Sequence, residues 1–337
     1  ARKVPCSQAQ QLKQLGWGLI EEVDVKRAYP YHDIAGQLIG FTDVDSRGIS
    51  GIEYTYDHIL KGEAGWRSVE VDVFGNPQIR QKLPYQPAVV GGDVVLTMDI
   101  SIQSILYEEL CRALEMHSAK AAHGLVLNPA TAEILAMASL PSFDPNSPHR
   151  SPVSNQKNPV IANVYEPGST FKLIIAALLL EKGLVDEKLL IDTSPGYITV
   201  YDHRIHDFKN YRVLSFEDVI VRSSNVGMIK LSEPLKSAEL YECISNYGLL
   251  GKTGIELPGE VGGMLNKAAR WSGTKKPNVV IGQGVAVTML SMAMFFQMIA
   301  NDGVLLKPTI IYGVRHPDGS VDVQEKSAGR RILSDST

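Results

Sequence analysis

A serine three residues ahead of a lysine, Ser169-Thr170-Phe171-Lys172, runs directly into eight apolar residues, 173–180. Pro167 and Gly168 read as a turn, Ser169 opens a helix, and Gly183 sits where helices commonly stop. The spacing of three puts hydroxyl and amine on one helical face. A hydroxyl at a buried helix N-terminus with an amine one turn on suits nucleophilic acyl transfer. The amine takes the proton once burial or a second cation lowers its pKa, and the unpaired N–H groups favour developing negative charge. The plain structural reading of the same residues is a serine cap followed by a chance lysine. A second cluster, Ser223-Ser224-Asn225, lies 54 positions further on. Its hydroxyl and carboxamide can close the far wall of a cleft, relay a proton and bind a substrate amide. Alone, S-x-N is ordinary turn chemistry.

Both clusters need a frame. The helix after Ser169 is apolar all the way round, which predicts a place in the middle of a domain. Residues 94–98 read as a strand, and Asp99 caps a helix with Ile102, Ile105, Leu106, Leu110, Ala113 and Leu114 on one face. Residues 124–127 and 133–137 form a hairpin across Asn128-Pro129-Ala130-Thr131. An alternating and then apolar run, 213–221, leads into Ser223, and a helical pattern follows at 226–231. Ser237 caps an amphipathic helix to 247, and Thr288 starts another that Asp302-Gly303 ends. Residues 304–314 and 321–323 read as a strand pair about Asp318-Gly319. Upstream are a short helix at 7–15, a strand-like run ending at Val25, a tight turn at 43–48, a helix at 52–60 and a hairpin turning at 74–77. Gln86-Pro87 and Gly91-Gly92 mark a boundary, so the expected domains are 1–90 and 91–337.

Composition narrows the classes. The 337 residues carry a net charge of −4 and scattered cations, giving no footprint for nucleic acid. No run of 18 apolar residues occurs, so no bilayer span is predicted. Cys6, Cys111 and Cys243 are too few and too far apart for a zinc site or a disulfide framework. Residues 201–207, with His203 and His206 flanked by Asp202 and Asp207, have chelating composition, but a β-turn fits them better and no metal or other cofactor is expected. Residues 43–47 lack the full ligand spacing of a calcium loop and read as a solvated turn.

The two serine boxes in this order resemble those of serine acyl-transferases that react with penicillin. Longer stretches are more specific. Residues 38–53, 96–103, 165–172, 250–260 and 281–303 resemble class B penicillin-binding proteins, a likeness covering nearly the whole chain. That resemblance implies an α+β multidomain fold: a transpeptidase/β-lactamase-like domain of helices around an antiparallel sheet, preceded by a mixed α/β pedestal. It implies peptidoglycan D,D-transpeptidation with Ser169 as nucleophile, Lys172 as base, Ser223 as proton relay and Asn225 as peptide holder, with Ser224 a substrate-binding candidate. The expected partners are peptidoglycan stem peptides, β-lactams and, through the N-terminal domain, membrane proteins of cell division. The expected location is periplasmic, with an anchor upstream of Ala1. Lys252-Thr253-Gly254 spells the family's third box but lies only 29 positions after Ser223, so it is expected to be a loop, with the catalytic K-[S/T]-G strand and half of the oxyanion hole expected beyond Thr337. Asn163 and Met289 stand where the family commonly has aspartate and proline. Two rivals stay open: a hydrolytic relative, against which the pedestal speaks, and a non-catalytic scaffold.

Overall fold

The computed structural model describes residues 6–14, 25–71, 77–78, 83–186, 188–325 and 327–337. The expected hairpin is present as strands Ala122–Leu127 and Ile134–Leu140, antiparallel, with Ala122 opposite Leu140 and a register shift at Val126/Leu127. Helix Ile100–Met116 lies across one face, capped as predicted by the Asp99 carboxylate, which accepts from the Ser101 and Ile102 amides. Gly124 permits the close approach: a Cβ there would sit 2.8 Å from Leu106 Cδ1. The other face supplies Ile134 and Met137 to a core with Val160, Ile161, Leu290 and Met294. Two residues from the first sixty, Leu38 and Ile52, belong to the same core. Gln103 is fully buried and binds three backbone groups, donating to Ile34 O and Met137 O and accepting from Met137 N. It joins the helix, the hairpin and the N-terminal segment, because a buried amide must find partners for each polar atom.

A three-stranded antiparallel sheet runs in the order Val321–Val323, Ile311–Arg315, Asp93–Leu96. The expected strand at 304–314 is therefore two strands. Val304–Leu305 pairs instead with Arg330–Arg331. Pro308 lies between the two pieces and has no N–H to give to a ladder, so the chain breaks there. The expected helix at 52–60 is likewise two short helices, Gly51–Thr55 and Asp57–Leu60, separated where Tyr56 leaves helical geometry at φ −110°, ψ 19°. At 43–48 the tight turn forms, with Asp43 accepting from the amides of Asp45 and Arg47. Strand Glu70–Val71 pairs with Pro77–Gln78, while the turn between them and the run to residue 24 lie outside the described residues. Among the described residues no helix is long and apolar enough to cross a membrane.

Candidate active site

Around the helix Lys172–Glu181 a second core collects, including Ile174, Ile175, Leu179, Val219, Met228, Ile244 and Phe295, each 4% exposed or less. Leu173, 40% exposed, is the outward-facing residue of the first two turns. Ser169 does not open this helix. It sits in a 3-10 turn, Gly168–Phe171, and the α-helix begins at Lys172. Gly168 has φ +57°, a left-handed conformation that glycine takes freely, and Thr170 Oγ1 donates to Pro167 O at 2.8 Å. The serine is thereby held out of the core: its side chain is exposed rather than buried. Among the described residues its hydroxyl has no hydrogen-bond partner.

That turn is clamped from a distant segment. Val164–Tyr165 pairs with Val287–Thr288, the Gly168 amide donates to Gly282 O at 3.0 Å, and the Glu166 carboxylate accepts from the Gly284 amide at 2.8 Å. Lys275 donates to Gly284 O from the other side. Gly282 packs so tightly that a Cβ would lie 1.9 Å from Gly168 O.

Lys172 is 2% exposed. Its Nζ donates to Ser223 O at 2.5 Å and to Ser223 Oγ at 3.0 Å. Burial pulls its pKa down from 10.5 to about 8, with the Asp207 carboxylate pulling the other way. Ser169 lies three residues before Lys172 in the chain, in the 3-10 turn that leads into its helix. At a pKa of about 8, roughly a tenth of the molecules carry a neutral amine at pH 7. Such an amine can take the proton of a hydroxyl.

Ser223 has φ +54°, placing its hydroxyl and carbonyl together on the amine. Asn225 starts the helix Asn225–Leu231 and is half-buried, with Nδ2 donating to His206 O at 2.9 Å. Its Oδ1 has no partner among the described residues. Ser224, offered from sequence as a substrate contact, is fully buried. Its hydroxyl donates to Asp207 Oδ2 at 2.7 Å and accepts from the Gly227 amide at 2.8 Å, so it caps the helix from inside the fold, out of reach of solvent. The structure thus brings Lys172 and Ser223 into contact and turns Ser224 inward, with Ser169 three residues before Lys172 and Asn225 two residues after Ser223 along the chain.

Residues 201–207 belong to a hairpin, Tyr197–Val200 against His203–His206, whose final neighbour Asp207 serves the Ser223–Asn225 segment. Lys252-Thr253-Gly254 is a loop, as expected: Thr253 N and Oγ1 both donate to Glu260 Oε1 at 2.6 Å, and Gly254 N to Oε2 at 3.1 Å. The helix expected to be capped by Ser237 runs Ser237–Asn246, and its cap is one residue earlier, at Lys236, whose amide donates to Glu239. Glu166, Asp207, Gly282 and Gly284 went unread as site residues. The positions flanking Ser169 and the Gly-Gln-Gly at 282–284 carried the only signal for three of them.

Residues 123–337 match the penicillin binding protein transpeptidase domain, and residues 2–96 match the penicillin-binding protein dimerisation domain. The chain belongs to the penicillin-binding protein transpeptidase family, in its class B branch. Among relatives of this class B chain, the peptidoglycan D,D-transpeptidase FtsI of Escherichia coli is 31% identical over 337 residues, 100% of this chain and 55% of that protein. Penicillin-binding protein PbpB of Mycobacterium tuberculosis is 34% identical over 323 residues, 92% of this chain and 46% of that protein. The chain spans about half the length of the curated relatives it matches. The apo crystal structure of penicillin binding protein 3 from the same mycobacterium superposes with a TM-score of 0.78 at 32% identity, covering 92% of this chain and 66% of that one. The same protein has been solved with aztreonam and with ampicillin.

Proposed function

We propose that the protein is a penicillin-sensitive peptidoglycan D,D-transpeptidase acting through a serine acyl-enzyme. One observation carries the reading: a buried amine with a lowered pKa lies one turn from an exposed serine and 3.0 Å from a second hydroxyl, on a chain of this family. Ser169 Oγ attacks the carbonyl of the penultimate D-alanine of a stem peptide, and neutral Lys172 takes the hydroxyl proton. Ser223 passes a proton to the departing D-alanine nitrogen as the peptide bond breaks. Asn225, tethered through Nδ2, offers Oδ1 to an N–H of the donor peptide. The amine of a neighbouring stem then attacks the ester, forms the cross-link and frees Ser169, and Lys172 returns to its starting charge. A β-lactam acylates the same serine by opening its ring.

The relatives named peptidoglycan D,D-transpeptidase support a role in wall synthesis at the septum; the proposal extends to a periplasmic location with membrane anchoring and to contacts with other division proteins through the N-terminal domain. The match to the dimerisation domain speaks against a free-standing β-lactamase or carboxypeptidase. Fluorescent penicillin separates enzyme from scaffold. Covalent label on the full-length protein that disappears in Ser169→Ala is the expected result, and no label on the unaltered protein defeats the proposal.

A further inference from the structure

The hairpin ending at His206, with Asp207 after it, grips the three consecutive residues that follow Ser223. Asp207 Oδ2 accepts from Ser224 Oγ at 2.7 Å, His206 O accepts from Asn225 Nδ2 at 2.9 Å, and Asp207 Oδ1 accepts from the Val226 amide at 3.0 Å. Asp207 is itself fixed, because its own amide donates to Gly196 O at 2.9 Å, at the start of the same hairpin. Ser223 then has no freedom to turn away. It precedes three anchored residues, takes the left-handed φ of +54°, and presents both its oxygens to Lys172 Nζ. A charged acceptor suits this post better than a neutral one, since hydrogen bonds to a carboxylate are shorter and stronger.

We propose that Asp207 is a positioning residue of this site, setting Ser223 and Asn225 against the Lys172 amine and facing that amine with a compensating negative charge. The inference rests on the acyl-transfer reading above and adds a residue that touches no substrate. Charge and geometry point the same way. Titratable or charged groups on the segments around Lys172 include Glu166 and Lys275 at the clamp, Glu217, Asp218 and Arg222 before Ser223, Lys230 on the helix after it, and His206 and Asp207 at the end of the hairpin. Asp207 is the one whose charge reaches Lys172, holding its ammonium up against the downward pull of burial.

Asp207→Asn and Asp207→Ala in the full-length protein test it. Asparagine keeps an acceptor for the Val226 amide and removes the charge, while alanine removes both. Fluorescent-penicillin acylation is measured across pH 6 to 10, with thermal melting on each variant. Independently of activity, the Lys172 side-chain resonance, assigned by its loss in Lys172→Arg, is titrated by NMR. In Asp207→Asn the Lys172 titration and the acid limb of acylation both move to lower pH. In Asp207→Ala acylation falls at least tenfold while the protein still melts cooperatively. An unmoved Lys172 titration in Asp207→Asn, or acylation within threefold of the unaltered protein in Asp207→Ala, overturns the assignment. Absence of Ser169-dependent label on the unaltered protein overturns the acyl-transfer reading instead, and the NMR titration still decides whether Asp207 acts on Lys172.

Discussion

Replacing Gly282 by alanine isolates the clamp on the nucleophile turn. The new Cβ would meet Gly168 O at 1.9 Å and Gly168 Cα at 2.8 Å, and carbon contacts under 3.0 Å are essentially never seen. The turn must therefore retreat by about 1.1 Å, because neighbouring backbone in a packed site cannot compress. Gly282 also has φ +79°, which costs an alanine ~1–2 kcal/mol. Losing the bond from the Gly168 amide to Gly282 O adds ~1 kcal/mol. Since Ser169 follows Gly168 directly, a shift of this size predicts an acylation rate lower by ~10²-fold. Gly284→Ala is the matched control. Its φ of +67° imposes similar strain, but the nearest atom to its Cβ is Lys275 Nζ at 2.7 Å, the free end of a flexible side chain. That variant should lose comparable stability and keep acylation within about threefold, because the turn is not displaced. Stopped-flow labelling with fluorescent penicillin alongside thermal melting gives both quantities. Equal acylation rates in the two variants would refute the claim that Gly282 sets the position of Ser169.

Acylation should rise with pH and level off above about 8, where Lys172 loses its proton; a flat profile from pH 6 to 10 removes Lys172 as base. The same depressed pKa costs stability: charged amine favours the unfolded chain, so the penalty is complete below pH 8, fades between 8 and 10.5, and is absent above. Lys172→Met should thus abolish acylation yet melt no lower than the unaltered protein at pH 7, and a drop of many degrees would show that its bonds to Ser223 outweigh the cost of burial. Lys252→Ala should leave acylation within about twofold, since its loop is organised by Glu260 rather than by the site; a large loss would return Lys252-Thr253-Gly254 to the catalytic set. Arg27→Ala strands Glu53, 5% exposed and held by the guanidinium at 2.9 Å, and urea denaturation should show a loss of ~2 kcal/mol, below the range for a fully buried pair because Arg27 is half-open to water. A loss under ~0.5 kcal/mol would mean that the pair does not hold the N-terminal segment.

What could be read from the chain was local. An apolar stripe gave the helix capped by Asp99, an unbroken apolar run the helix behind Lys172, and two short apolar runs about a polar turn the hairpin, because each signal lies within a few neighbouring residues. The 3-10 geometry at Ser169 was not legible, since it depends on a left-handed Gly168 locked against Gly282, 114 positions later. Ser224 was misread, and Asp207 went unread, for a related reason. A buried hydroxyl and a carboxylate can each serve a ligand or a helix cap, and only the register of the 197–206 hairpin brings the two within 2.7 Å. Gln103 shows the same in the core, where one polar residue among apolar ones is satisfied by two segments, at Ile34 and Met137, that nothing in its neighbourhood announces. Packing tolerates many side chains of similar size, whereas a buried polar group demands a partner at one place. The groups proposed for chemistry therefore sit where remote segments meet: Ser169 between 166–168 and 282–284, and Ser223 between Lys172 and the end of the hairpin. Their identities are written in short motifs, but their reactivity depends on those meetings.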